Sequence, residues 1–267
     1  MKIKRILYHH TKNFIYFWLN IFSPKILSKN RASILMYHSV GYNKMPFNVL
    51  PKDFEKQMDY LFKKKYNVVS LKKLVEYIKN RNIPEKTIVL TFDDGYEDNY
   101  QFAFPVLKKY KFPATIFLVT GFIGKNSSWT RFPLPMLKIE QIIEMHKSLL
   151  IDFEPHTWSH LKLHKLSPSE ILEEVKKSKK FIESSLNKKC LFFAYPYGKF
   201  TFKIREILKK EGFLAAVTVK EGMVSLDDDL FLLKRNYIDS SVGFFEFKGK
   251  LDGAVEVFDR IFNKVIK

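Results

Sequence analysis

The sequence predicts an α/β protein: a parallel sheet of about seven strands with helices on its outside. Three observations carry that prediction. Short apolar runs rich in β-branched and aromatic residues alternate with stretches of helical periodicity along the 267 residues. Seven such strand candidates follow one another, which fits a closed barrel better than a doubly wound open sheet, though periodicity alone leaves both open. Isolated polar residues break the pattern just after strand candidates, where folds of this class build their sites.

SILMY, Ser33 to Tyr37, is the first strand candidate and ends at His38. In PKDFEKQMDYLFKKKY, Phe54, Met58, Leu61 and Phe62 recur at helical spacing behind a proline suited to a first turn. SLKKLVEYIKN gives a second helix, with Ser70 placed to cap it. TIVLTF is the next strand and runs straight into Asp93 and Asp94. A helix from about Glu97 to Tyr110 and a strand ATIFLVTG follow. Beyond a proline-rich loop come helix IEQIIEMHK and strand LLIDFE, which leads to His156 and His160. SPSEILEEVKKSKKFIESSL is a long amphipathic helix with a Ser-Pro start. Strand CLFFAYP, helix TFKIREILKKEG, strands FLAAVTV and LFLLKRNYI, and a C-terminal helix FDRIFNKVIK complete the series. The single cysteine, Cys190, excludes an internal disulfide and a Cys-based zinc site, and its apolar strand marks it as a buried structural thiol. With no internal repeat or low-complexity linker, one domain is expected over residues 31–267, preceded by an appendage of residues 1–30.

That appendage has a basic start and an apolar stretch from Phe14 to Phe22, well short of the roughly 20 residues that span a bilayer. Ser23-Pro24-Lys25 lacks the small residues of a signal-peptide cleavage point. Aromatics among lysines suit a helix lying on an anionic membrane surface, and equally a helix docked on the domain's own core. The expected location is cytoplasmic or peripheral at the cytoplasmic membrane, with export or anchoring through this segment left open.

Lys and Arg number 46 against 28 Asp and Glu, a net charge of +18 that favours anionic partners. The cations are spread along the chain in groups such as Lys63-Lys64-Lys65 and Lys72-Lys73, which solvated helix faces account for. No basic arm, zinc-finger spacing or basic heptad points to nucleic acid, and no nucleic-acid partner is expected.

The chemistry lies in two short stretches. Two histidines four residues apart in HTWSH can place both imidazoles on one metal ion, and one carboxylate completes a facial set that leaves positions open for water and substrate. A second carboxylate, free of the metal, can then take a proton from an attacking water. One acid cannot hold the metal tightly and also act as a free base, which explains Asp93-Asp94, with Gly95 allowing the tight turn behind them. Read alone, Asp-Asp-Gly is an ordinary turn and His-x-x-x-His an exposed helical turn. Their joint occurrence at strand ends sets them apart.

These residues resemble the polysaccharide deacetylase family, the NodB-homology domain of carbohydrate esterase family 4. TFDDG resembles its first motif, HTWSH its second and YPYG the end of its third, and the resemblance spans roughly Ser33 to Asp239. It implies a distorted (β/α) barrel that removes acetyl groups from N-acetylated sugars with one bound divalent metal, zinc by default, with cobalt or nickel suited to the same ligands. It implies further that Asp93 is the general base, that Asp94, His156 and His160 are the metal ligands, and that the backbone N–H of Tyr197 serves the oxyanion. Two features depart from the common pattern: the third motif has no arginine, and no histidine follows His164. LMYHSV resembles the early MYH of the poly-N-acetylglucosamine deacetylase branch, which makes His38 the candidate general acid and Arg235 the candidate replacement for the missing arginine. Phe122, Trp129 and Tyr197 suit stacking on sugar faces, and equally apolar packing. The expected partner is an N-acetylated glycan of the cell envelope. O-acetyl ester hydrolysis, or cleavage of another C–N bond, fits the same metal site. An inactive carbohydrate-binding or membrane-surface module would have no need of a water-activating base.

Overall fold

Residues 30–254 are described by the computed structural model. Residues 1–29, read above as a membrane-surface or docking segment, and the C-terminal helix read from FDRIFNKVIK lie outside them. The chain opens with β1 (Arg31–Tyr37), then β2 (Ser39–Val40) and β3 (Asn48–Val49), a short parallel clasp. Helix α1 (Pro51–Lys63) starts on its proline, and β4 (Asn67–Val69) leads to α2 (Leu71–Lys79), where Ser70 accepts the N–H of Lys73 as its cap. β5 (Thr87–Phe92) coincides with TIVLTF. A π-helical turn (Asn99–Ala103) then precedes α3 (Phe104–Tyr110), so the single helix expected there is broken. Pro105, which lacks an N–H, cannot continue an ordinary ladder back into that turn. β6 (Ala114–Leu118), α4 (Ile139–Lys147), β7 (Ile151–Pro155) and α5 (Pro168–Leu186) follow. Ser167 and Glu170 form a capping box at the start of α5. β8 (Phe192–Ala194), α6 (Phe202–Lys210), β9 (Ala215–Val217), β10 (Val224–Ser225), β11 (Asn236–Tyr237) and α7 (Phe244–Asp252) end the described chain.

The strands form a distorted barrel. One sheet has seven strands in the path β10–β1–β5–β6–β7, with β4 also on β5 and β11 also on β1. β1, β5, β6 and β7 are mutually parallel. β8 and β9 form a separate parallel pair. A side chain closes the seam between β7 and β8: Glu154 accepts the N–H groups of Leu191 and Phe192, both at 3.0 Å, and the Lys188 ammonium at 2.9 Å. At the other seam Leu233 bridges to Val217, and the chain continues into β11 beside β1. Alternate strand residues face two cores. Leu35, Tyr37, Leu90 and Phe92 pack with Phe54, Met58 and Leu107 of the outer helices, while Ile34, Val89, Phe117 and Phe192 pack with Leu71, Leu74 and Ile78 of α2. Cys190 is a free, buried thiol.

LFLLKRNYI is not one strand. Leu230–Leu232 is a 3-10 turn in which Asp229 accepts the N–H of Phe231, and only Asn236–Tyr237 pairs as β11. The elements that escaped the periodic reading are the short strands β2, β3, β4 and β10, two or three residues each, and α7. Among the described residues no helix is long and apolar enough to cross a membrane.

Candidate metal and catalytic site

The C-terminal ends of β1, β5, β7 and β8 open into a cavity of about 560 Å³ lined by His38, Asp93, Asp94, His156, His160 and Tyr197, with Trp129 on its wall. Parallel strands explain the convergence: the residue after each strand end falls on the same rim.

Asp94, a non-glycine residue, is held at φ +73°, and Gly95 follows at φ +84°. A Cβ on Gly95 would lie 2.6 Å from Leu118 Cδ2, so both backbone freedom and space require glycine there. The turn separates the two Asp94 oxygens. Oδ2 accepts the Tyr96 hydroxyl at 2.6 Å and Trp129 Nε1–H at 3.3 Å. Oδ1 is buried with no hydrogen-bond partner, 3.6 Å from His156 Nε2 and 3.4 Å from His160 Nε2. His156 Nδ1 lies 2.8 Å from the Ala194 carbonyl, so that nitrogen carries the proton and Nε2 presents its lone pair to Asp94. Burial lowers the pKa of His156 to about 4 and that of His160 to about 3, against the opposing pull of Asp93. Both rings are therefore neutral at neutral pH, the form that binds metal. One unpartnered carboxylate oxygen and two imidazole nitrogens within 4.8 Å of one another form a donor set that suits one divalent cation. The HTWSH segment is not a helical turn: Thr157 and His160 both have left-handed backbones, at φ +70° and +58°.

Asp93 lines the same cavity as this trio. Arg235 grips it with both guanidinium ends at 2.6 Å, and gives two further donors to the Thr218 carbonyl at 2.8 Å and Thr91 Oγ1 at 3.2 Å. Burial pushes the Asp93 carboxyl up, but the Arg235 charge and hydrogen bonds, with His156 and His38 adding, hold it well below the usual carboxylate range. Arg235 is itself fully buried, above the Phe117 ring.

His38 follows β1, which pairs directly with β5, and lines the cavity with Asp93. Its ring lies 5.3 Å from that of Phe47, and its carbonyl accepts the Asn99 amide at 2.8 Å. Trp129 and Tyr197 flank His160, with ring centroids at 4.6 and 4.7 Å. Tyr197 has φ +58° and is 41% exposed, with the Lys162 ammonium over its ring at 5.3 Å. Phe122 meets Trp129 edge-on at 5.1 Å and backs that ring instead of lining the cavity. The sequence reading missed Tyr96, Thr91 and Phe47. Tyr96 directly follows TFDDG, and the turn at Gly95 brings its hydroxyl back to Asp94. Phe47 stacks on Tyr96 at 5.7 Å and completes the wall beside His38.

A family profile described as polysaccharide deacetylase matches residues 80–216. His38 and Arg235 fall outside that match. YxkH of Bacillus subtilis (strain 168) is 34% identical over 206 residues, covering 77% of this chain and 70% of its own. A poly-β-1,6-N-acetyl-D-glucosamine N-deacetylase of Staphylococcus aureus is 30% identical over 197 residues, covering 71% of this chain and 67% of its own. Among solved structures, the Streptococcus pyogenes deacetylase PplD in complex with acetate superposes with a TM-score of 0.75 at 28% identity, over 84% of this chain and 99% of that one. With a strand-end Asp-Asp pair, two buried neutral histidines and a distorted barrel that carries them, the chain belongs to the polysaccharide deacetylase family.

Proposed function

We propose that this chain hydrolyses the N-acetyl amide of an N-acetylated sugar in a cell-envelope polysaccharide of the poly-N-acetylglucosamine class, using one divalent metal ion. One observation carries the reading: buried, unpartnered Asp94 Oδ1 faces the lone pairs of His156 and His160, while a second carboxylate beside it is held off by Arg235. The similarity to a poly-β-1,6-N-acetyl-D-glucosamine N-deacetylase supports the substrate class.

When bound, the cation would polarise the acetyl carbonyl and acidify a water, which no side chain here can do. Asp93 is kept ionised by Arg235 and accepts the water's proton. His38, at the end of the neighbouring strand, gives a proton to the departing amine. Trp129 and Tyr197 offer ring faces to the sugar. Zinc suits the two-nitrogen, one-oxygen set, as do cobalt and nickel.

Acetate release from N-acetylated and O-acetylated oligosaccharides tests the reading, with and without a chelator. Release from the N-acetylated substrate, abolished by chelation and restored by zinc or cobalt, is expected. Faster release from the O-acetylated substrate would identify an esterase, and chelator-resistant turnover would remove the metal from the mechanism. Elemental analysis of His156→Ala should show the metal gone.

A further inference from the structure

The two histidines that face Asp94 flank a turn with a strained backbone. Thr157 and His160 both adopt positive φ with no glycine between them. Such backbones are costly for residues with a side chain, and such turns persist only where the surroundings over-determine them. Part of the restraint is local: Thr157 Oγ1 accepts the N–H of His160 at 3.0 Å. Part comes from the neighbouring loop, where the N–H groups of Thr120 and Gly121 reach the carbonyls of Thr157 and Trp158 at 3.2 and 2.8 Å. The rest comes from α5. Glu174 Oε2 accepts the successive N–H groups of Trp158 and Ser159 at 3.1 and 2.9 Å, and Oε1 accepts the Ser159 hydroxyl at 2.6 Å.

Consecutive N–H groups converging on one anionic oxygen form a nest, and bonds to an ionised acceptor are roughly twice as strong as neutral ones. Among the described residues, all hydrogen bonds of the Glu174 carboxylate go to this turn. The carboxylate touches neither histidine ring, yet it grips the two residues lying between Thr157 and His160.

We infer that Glu174 is a positioning residue for the metal site, clamping the His156–His160 turn so that both Nε2 atoms converge with Asp94 Oδ1. The inference rests on the metal-site reading above. It assigns a role to a residue outside all the recognised motifs, on a helix whose exposed face otherwise carries ordinary ion pairs such as Lys177 with Glu173. Glu174→Gln keeps an oxygen for the two N–H groups but loses the charge. Glu174→Ala removes the clamp. Ser159→Ala removes one bond.

The test measures zinc and cobalt affinity of the full chain by competition with a chelator, together with the visible spectrum of the cobalt form and the unfolding midpoint of the metal-free protein. Glu174→Ala should weaken metal binding about 10–100-fold, the usual effect of losing an outer-shell partner, and alter the cobalt spectrum. Glu174→Gln should fall between it and wild type. If Glu174→Ala does not fold, Glu174→Gln and Ser159→Ala carry the test, each with a smaller loss. Folded variants with wild-type affinity and spectrum would overturn the role of Glu174 while leaving the metal site standing. Metal uptake by His156→Ala equal to that of wild type would overturn both.

Discussion

Arg235 holds both carboxylate oxygens of Asp93 at 2.6 Å, across 142 residues of sequence and from the position just before β11, the strand beside β1. The pair is buried, so its geometry matters more than a surface pair's would. The two-point grip fixes the plane of the carboxylate and keeps it from swinging towards His156 and His160. Arg235→Lys should lower kcat about 10²-fold with metal content unchanged, because a single ammonium cannot fix that plane. Arg235→Met should also destabilise the fold by about 3–5 kcal/mol, the cost of stranding a buried charge. The pair's contribution has a definite sign. The folded pKa of Asp93 lies below its unfolded value, so the stabilisation is complete above pH ~4 and is lost as pH falls towards the depressed folded value. Equal urea midpoints for wild type and Arg235→Met at pH 7 would contradict this.

Asp93→Asn separates the two neighbouring acids. The amide keeps the shape of the carboxylate but cannot accept a proton. Metal content should remain at the wild-type level while turnover falls about 10²–10⁴-fold, the usual range for a general base. Asp94→Asn should do the reverse and lose metal first, since Oδ1 is its one oxygen not already bound by Tyr96 and Trp129. Matching metal losses in both variants would dissolve the division of labour between them.

The Asp98 carboxyl makes the clasp beside His38 sensitive to pH. It accepts bonds from the Ser39 hydroxyl, the Val40 N–H at 3.3 Å and the Asn99 amide at 3.1 Å. Burial raises its pKa to about 6 in spite of these bonds, with neighbouring Glu97 adding to the rise. A raised carboxyl pKa means that the folded state binds the proton more tightly, so this group's contribution to stability falls as pH rises from about 4 to about 6, then levels off. In metal-free protein, the stability gap between wild type and Asp98→Asn should shrink from pH 4 to pH 7 by about 3 kcal/mol, at about 1.4 kcal/mol per pH unit. Urea titrations at the two pH values measure it, and a gap that widens would reverse the assignment.

The strand ends were legible because a barrel strand is a continuous apolar run, and a polar residue right after one has few reasons to be there. TIVLTF into Asp93 and LLIDFE into His156 both show this. Arg235 was legible as a polar residue near the end of LFLLKR, but its role beside Asp93 only through the resemblance. Its surroundings, a 3-10 turn and a two-residue strand, have no periodicity, and the contact that fixes it is made to a distant residue. Glu174 was illegible for the opposite reason. It sits in a strongly periodic helix, where a glutamate reads as solvated surface, and only the fold shows that it reaches the histidine turn. The closure of the barrel by Glu154 was hidden likewise, because a side chain does there what a strand ladder does elsewhere.

His38 is the residue whose role rests most on placement. It lies one residue past β1, lines the cavity with Asp93 and the two histidines, and has its backbone fixed by Asn99 and its ring beside Phe47. An amine departs poorly unless it is protonated as the C–N bond breaks, and imidazole can deliver that proton near neutral pH. An activated aryl ester makes no such demand, because its leaving group is stable as the anion. Metal-loaded His38→Ala should therefore lose amide cleavage of an N-acetyl sugar by about 10²–10⁴-fold and keep most of its aryl ester cleavage. If both substrates slow equally, His38 acts on the shape of the cavity or on the neighbouring ligands, and the proton for the amine comes from elsewhere. Phe47→Ala sharpens the comparison. It leaves the imidazole in place but unsupported, so it should slow the amide more than the ester, by less than His38→Ala does.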